Sequence, residues 1–312
     1  LIKADSGTLI LSGSNTYSGA TVINGGTLSI AGDGNLGTGN LQLQDGTLRV
    51  TGAGTIDNAI VLGNGLFVNT IETTNDTTLS GVISGSGDVI KTGSGALTLS
   101  ASNSATGTLT ASAGTVLIDG SYDGQVSAQS TGTVGGNGTL NGLVAIFSGG
   151  TLAAGSSPGS LTINGNLQLE TGSTLAVDIS GTTAGTEYDQ LTVNGTVTIN
   201  NALLTVNLGS YSPPFSSSFT IISNDGADAI SGTFSGLAEG STVGGTTLSL
   251  SYAGAAGNDF TLNAPASAAP VISNLSGDSV SYVEGSGAVR LDAGSNATVT
   301  DSDSPDFDGG TL

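Results

Sequence analysis

The densest run of residues able to hold a ligand is DSDSPDFDGG, which places Asp301, Asp303, Asp306 and Asp308 within eight positions. Calcium takes several carboxylate and carbonyl oxygens from a flexible loop, so this spacing predicts a calcium site near the C-terminus. The run is no EF-hand, because the required Gly and closing Glu are absent. Nor is it a calcium nonapeptide: the nearest phrase, GGNGTL at 135, has Leu140 where an Asp is needed. A solvated acidic turn is the plainer alternative. A second cluster, Glu187, Tyr188 and Asp189, is the only dense polar trio before residue 264. Sugar hydrolysis needs two carboxylates facing each other across a cleft, and lyase chemistry needs a base. The chain has no His, and only Lys3, Arg49 and Lys91 are basic before residue 264, so no cationic clamp for an acidic sugar can be assembled. The expectation is a protein that is not an enzyme. Lys91 reads either as a ligand contact or as a lysine fixed at the corner of a repeat. Tyr17, Tyr122, Tyr188, Tyr211 and Phe215 could stack on sugars, but scattered singly they read as packing at strand edges. YSPPF at 211 reads as a loop leaving the main body.

These side chains need a scaffold, and composition narrows it. The chain has 312 residues, including 52 Gly, 6 Pro and neither Cys, Met nor Trp, with 37% apolar residues, mostly Leu, Val, Ile and Ala. No Gly-X-Y period occurs, which excludes collagen. The apolar content suffices to line a narrow core. Four basic residues against 24 acidic ones give a net charge of -20. Nucleic acid and anionic membranes are therefore excluded as partners, since both need clustered Lys and Arg. Without Cys there is no disulfide, thiolate catalysis or zinc-thiolate site. Without Met the chain is expected to be a processed product or a fragment. It shows no signal-peptide pattern and no apolar run of membrane-spanning length.

The elements announce themselves by repetition. Gly-Thr-Leu stands at 7, 26, 46, 107, 138, 150 and 310, and Gly-Thr-Val at 114, 132 and 195. Pairs such as Leu9/Leu11, Leu28/Ile30, Leu48/Val50, Leu97/Leu99 and Leu175/Val177 are apolar at i, i+2 and bounded by Gly, Asn and Ser. Period 2 over such short runs predicts strands with one buried face, and no helical period competes. A shift of 88 positions lays residues 3–32 on 91–120 without a gap: Lys3 meets Lys91, Leu9 meets Leu97, Asn15 meets Asn103 and Gly26 meets Gly114. Tyr17 meets Ala105, so that ring is dispensable to the repeat. Short strands beating at about 20 residues predict an all-β chain wound as a right-handed parallel β-helix, each coil burying its apolar face on the next. A β-sandwich array or a propeller is the alternative. Leu9, Leu28, Leu48, Leu97, Val116 and Leu175 are expected to point inward.

Two stretches, GTLILSGSNTYSGATVINGGTLSI and ISGSGDVIKTGSGALTLSASNS, resemble the autotransporter-associated β-strand repeat of bacterial surface adhesins. Gly85, Gly87, Lys91, Gly93, Gly95, Leu97 and Leu99 match one copy; Leu9, Leu11, Ser12, Gly13, Asn15, Thr16, Tyr17 and Gly19 match another. YDQLTVNGTVTINNALLTVNL, GTFSGLAEG and LSYAGAAGNDFTLN resemble the end of an autotransporter passenger. The resemblance covers residues 1–263 and implies a parallel β-helix outside a bacterium, serving as an adhesin or stalk. APASAAP at 264–270 reads as an Ala/Pro linker. Residues 271–312 resemble the start of a cadherin-like, Ig-like module of large repeat adhesins, expected to be a truncated β-sandwich-like fragment.

The reading is thus a non-enzymatic adhesin or fibre segment, secreted or on the bacterial surface, that presents or connects binding modules. Expected partners are host-cell, surface or polysaccharide ligands, or copies of itself in a fibre, with no nucleic acid and no membrane insertion. Calcium at the C-terminal module is the only cofactor expected. A β-helical polysaccharide-degrading enzyme and a self-assembling filament or surface-layer subunit are the rival readings.

Overall fold

A strand with one apolar face still has backbone donors and acceptors on both edges, and this chain satisfies them by winding on itself. In the computed structural model, residues 1–155, 158–226, 228–254, 257–268, 271–273 and 298–300 are described. The chain divides into two units, Leu1–Ala264 and Pro265–Leu312. In the first unit, strands from Ile2–Ala4 to Ser231–Thr233 pair in parallel with strands one turn away, forming a β-solenoid.

Three faces are repeated up the stack. The first begins with Ile2–Ala4, Thr21–Asn24, Leu41–Leu43, Ile60–Leu62 and Ile83–Gly85. It resumes at Ser102–Asn103 and runs through Ser121–Tyr122, Thr139–Leu140, Ser160–Ile163 and Gln190–Val193 to Ser218–Asn224. On the second face Thr8–Leu11, Thr27–Ile30, Thr47–Val50 and Val68–Thr73 stack in register, so Leu28 stands on Leu48 and Leu48 on Ile71. The third face starts at Gly54–Ile56 and Thr77–Leu79. Leu109–Ile118 and Val126–Gly135 each bend round a corner unbroken and serve two faces, with an irregularity between Ala111 and Ala113.

Packing follows the alternation. Leu28, Leu48, Leu97, Val116 and Leu175 are at most 1% exposed, and each buried side chain of this size is worth about 1.5–3 kcal/mol. Leu9, in the first coil, is only half-buried. Tyr122, which the sequence placed at a strand edge, is instead fully buried, and its hydroxyl donates to the Gly107 carbonyl at 3.0 Å. Coil length is not constant. The step from Ser121 to its register partner Thr139 is short, and the step from Ile60 to Ile83 is longer. The last two steps on the first face, Ser160 to Gln190 and Leu191 to Ile222, are the longest.

The parallel stack does not reach residue 263, where the sequence pattern had placed its end. Ser249–Gly254 and Asp259–Asn263 pair antiparallel with each other, and the second lies antiparallel on Ser218–Asn224. Only residues 255–258 link these two strands, too few for the crossover that a parallel pair requires. Phe234, Tyr252 and Phe260 pack over this end, with the Phe234 and Phe260 ring centroids 5.1 Å apart. In the second unit, Val271–Ser273 pairs antiparallel with Thr298–Thr300. Asp301, Asp303, Asp306 and Asp308 lie outside the described residues, as does most of the segment read as cadherin-like.

Candidate functional site

The lysines of the two repeat copies occupy equivalent cages of carbonyl oxygens. Lys91 lies near the end of the strand Asp88–Thr92 with its stem buried, and its ammonium donates to the carbonyls of Thr92, Gly93 and Ala113 at 2.9, 2.8 and 3.1 Å. Lys3 donates to Ala4, Asp5 and Gly25 at 2.8, 2.7 and 3.1 Å. Each acceptor of one cage is the repeat counterpart of an acceptor in the other. Asp5 and Gly93 both adopt left-handed backbone, at φ of 61° and 79°, which aims the second carbonyl at the ammonium. Gly26 and Gly114 cover the cages, and a Cβ at either would run into the lysine nitrogen. Burial lowers the Lys91 pKa from 10.5 to about 8. The cage has no vacant side for a ligand, so Lys91 is a clip between successive coils.

The two clips lie on different faces. Lys3 belongs to the first face, and stepping up four coils through Ile23, Leu43 and Leu62 leads to Gly85, short of Lys91 along the chain. Lys91 stands on the second face, over Ile71. The shift between the repeat copies is four coils and part of a fifth, so the phrase recurs turned by one face about the axis.

The polar trio is brought together only in sequence. Asp189 is 2% exposed; its Oδ1 accepts from the Gly159 N–H and its Oδ2 from the Asp178 N–H, both at 2.8 Å. Glu187 turns back on its own loop, with Oε2 accepting from the N–H groups of Thr182 and Thr183 at 2.9 and 2.8 Å. The Thr183 hydroxyl and N–H hold its pKa below the usual value. Tyr188 packs edge-on against Phe219, with centroids 5.4 Å apart. Both carboxylates close loops, and no catalytic dyad is built.

The sequence reading missed a file of side chains along one corner. Asn141 Nδ2 donates to Asp123 Oδ1 at 2.7 Å, Asn164 to Asn141 at 2.7 Å, and Asn194 to Asn164 at 2.8 Å. Its signal was available: each member precedes a glycine, at Gly124, Gly142, Gly165 and Gly195. The Gly-Asn-Asp phrase near the end of the unit also closes backbone. Asn258 Nδ2 donates to the carbonyls of Asn224, Asp225 and Gly226, and Asp259 Oδ1 accepts from the Asn224 N–H at 2.9 Å.

Among the described residues no group of three or more His, Cys, Asp or Glu side chains could hold a metal, and no helix is long and apolar enough to cross a membrane. What the side chains do chemically is repetitive: they bind backbone across coils.

Comparison with known proteins fits this construction. Residues 1–30 and 89–118 match the family described as Passenger-associated-transport-repeat, and each match holds one lysine clip. The chain is also 36% identical over 218 residues, 62% of its length, to the adhesin BmaC autotransporter of Brucella suis biovar 1 (strain 1330). It spans 6% of that adhesin's length. Two passenger-type transport repeats, set on two faces of one parallel β-solenoid, make this chain similar to part of an autotransporter adhesin.

Proposed function

We propose that this chain is a non-enzymatic segment of a bacterial adhesin, secreted or held at the cell surface, whose β-helical stalk presents or connects binding surfaces. One observation carries the reading: the residues that could have done chemistry, Lys91, Glu187 and Asp189, are all committed to backbone groups of neighbouring coils or loops. The name of the Brucella relative supports adhesion. The net charge of -20 directs the surface away from nucleic acid and towards host-cell, surface or polysaccharide ligands. Beads coated with the full chain should adhere to epithelial cells or polysaccharide-coated surfaces better than uncoated beads. The same protein should release neither reducing ends nor unsaturated products from acidic and neutral polysaccharides. Turnover that disappears in Glu187→Gln or Asp189→Asn would replace this reading with the enzymatic one. For the C-terminal unit we retain calcium at Asp301, Asp303, Asp306 and Asp308 as a proposal that rests on their spacing.

A further inference from the structure

The two long coils spend their extra residues at one corner. After the strand Thr174–Asp178 the chain makes an excursion before Gln190–Val193, and after Leu203–Asn207 it makes another before Ser218–Asn224. Asp178 and Asn207 are register partners, so the two excursions leave adjacent coils at the same level of the third face. Between them lies an open groove of about 590 Å³ that includes Asp178, Asn207, Leu208, Ser210, Tyr211 and Pro158 in its lining. That volume falls in the range of small-ligand sites, which combine apolar walls with a few fixed polar groups.

The walls are held before any ligand arrives. Asn207 Nδ2 donates to Asp178 Oδ1 at 2.6 Å, while Asn207 Oδ1 accepts from the Gly209 N–H at 3.1 Å. Tyr211 is tied back by its N–H to the Leu208 carbonyl at 2.8 Å, and its half-buried ring packs against the core. The first excursion is fastened by Ser180 to Glu187, and by the Glu187 carboxylate to Thr182 and Thr183. Asp178 Oδ2, the Ser210 hydroxyl and the Tyr211 hydroxyl have no hydrogen-bond partner among the described residues. Tyr211, Asp178 and Ser210 therefore line one groove and bring to it an aromatic side chain, a carboxylate and two hydroxyls.

We propose that this groove binds a neutral sugar residue, whose C–H face lies on the Tyr211 ring and whose hydroxyls donate to Asp178. A sugar has an apolar face and a rim of donors, which is what these walls complement. Charge selects against acidic sugars: no Lys or Arg occurs between Lys91 and Arg290, and Asp178 lines the groove. The inference rests on the adhesive reading and names the chemistry of its ligand.

The test uses the full 312-residue chain and an array of mannose-, galactose-, glucose- and N-acetylglucosamine-terminated neutral oligosaccharides. Sialylated and sulfated glycans and an Arg-rich peptide are included, and hits are titrated by calorimetry. Binding of at least one neutral class is expected, weakened at least tenfold by Tyr211→Ala and by Asp178→Asn. The distant Tyr17→Ala should stay within a few-fold of the parent. Melting curves decide whether a variant is folded; if Tyr211→Ala is not, the comparison of Asp178→Asn with Tyr17→Ala stands in its place. Silence on neutral glycans, preference for sialylated ones, binding of the peptide alone, or indifference to Tyr211→Ala and Asp178→Asn overturns the proposal. Beads that adhere to cells while the array stays silent would reject the groove and keep the adhesive reading.

Discussion

An ammonium group shielded from water balances lost hydration against the carbonyls that surround it. At Lys91 that balance sets a stability term. Lys91→Met leaves three carbonyls without their donor and should destabilise the fold by about 2 kcal/mol or more, read from denaturant unfolding. The pH dependence has a definite sign. Burial brings the folded pKa to about 8 against 10.5 in the unfolded chain, so between these values the unfolded chain holds a proton that the fold has released. Stability contributed at this site therefore rises with pH across that window. The advantage of the parent over Lys91→Met should widen from pH 8 to pH 10; a narrowing gap would mean that the carbonyl cage outweighs burial. Much of this scale was legible in the sequence. Leu28, Leu48, Leu97, Val116 and Leu175 face the core because period 2 and the Gly-Thr-Leu phrase fix their side of the strand. Asp189 was harder to read, since two carboxylates close in sequence look like a pair whether or not they face each other in space. Its partners, the N–H groups of Gly159 and Asp178, lie 30 and 11 residues away.

At the scale of elements, the corners divide into those held by side chains and those held by close backbone contact. The file Asp123–Asn141–Asn164–Asn194 is exposed, so each bond competes with water. Asn164→Ala should cost only about 0.5–1 kcal/mol. Its neighbour is a different matter. A Cβ on Gly165 would meet the Gly142 carbonyl of the coil below, so Gly165→Ala should cost about 1–3 kcal/mol despite its smaller chemical change. Thermal melts of the two variants side by side check the order, and a reversed order would show that the amide file carries the corner. Strands such as Ser160–Ile163, Gln190–Val193 and Val197–Asn200 were legible because each is a short apolar alternation ended by Asn. Their assignment to faces was not, because coil steps as unequal as Ser121 to Thr139 and Leu191 to Ile222 break any fixed beat. For the same reason the two repeat copies, aligned without a gap, stand on different faces. The excursion after Asn207 was legible, since YSPPF reads as a loop, but its meeting at one corner with the excursion after Asp178 depends on register that no local pattern records.

For the first unit as a whole, the two ends differ. Phe219 and Phe260, on the antiparallel pair, and Phe234 are buried at one end, whereas Ile2 and Ile10 are 71% and 68% exposed at the other. Phe260→Ala should destabilise by about 3–5 kcal/mol. It should also expose the edge of Ser218–Asn224 and make the protein associate with rising concentration, as followed by light scattering. A variant that unfolds more readily yet stays monomeric would show that the cap adds packing without protecting the edge. In the second unit, millimolar calcium should raise the melting temperature of the full chain, and the double variant Asp301→Asn/Asp303→Asn should abolish the shift. A response that survives that variant would put the ion elsewhere. The unequal coils of the first unit have a mechanical consequence. Backbone hydrogen bonds in the stack point along its axis, so tension applied between the two ends of this unit would peel one coil at a time. A coil of about 20 residues adds roughly 70 Å of extended chain while giving up only about 5 Å of rise, and the two longest coils add roughly 100 Å each. Under load such a stack is a shock absorber: it lengthens in discrete steps, each dissipating energy.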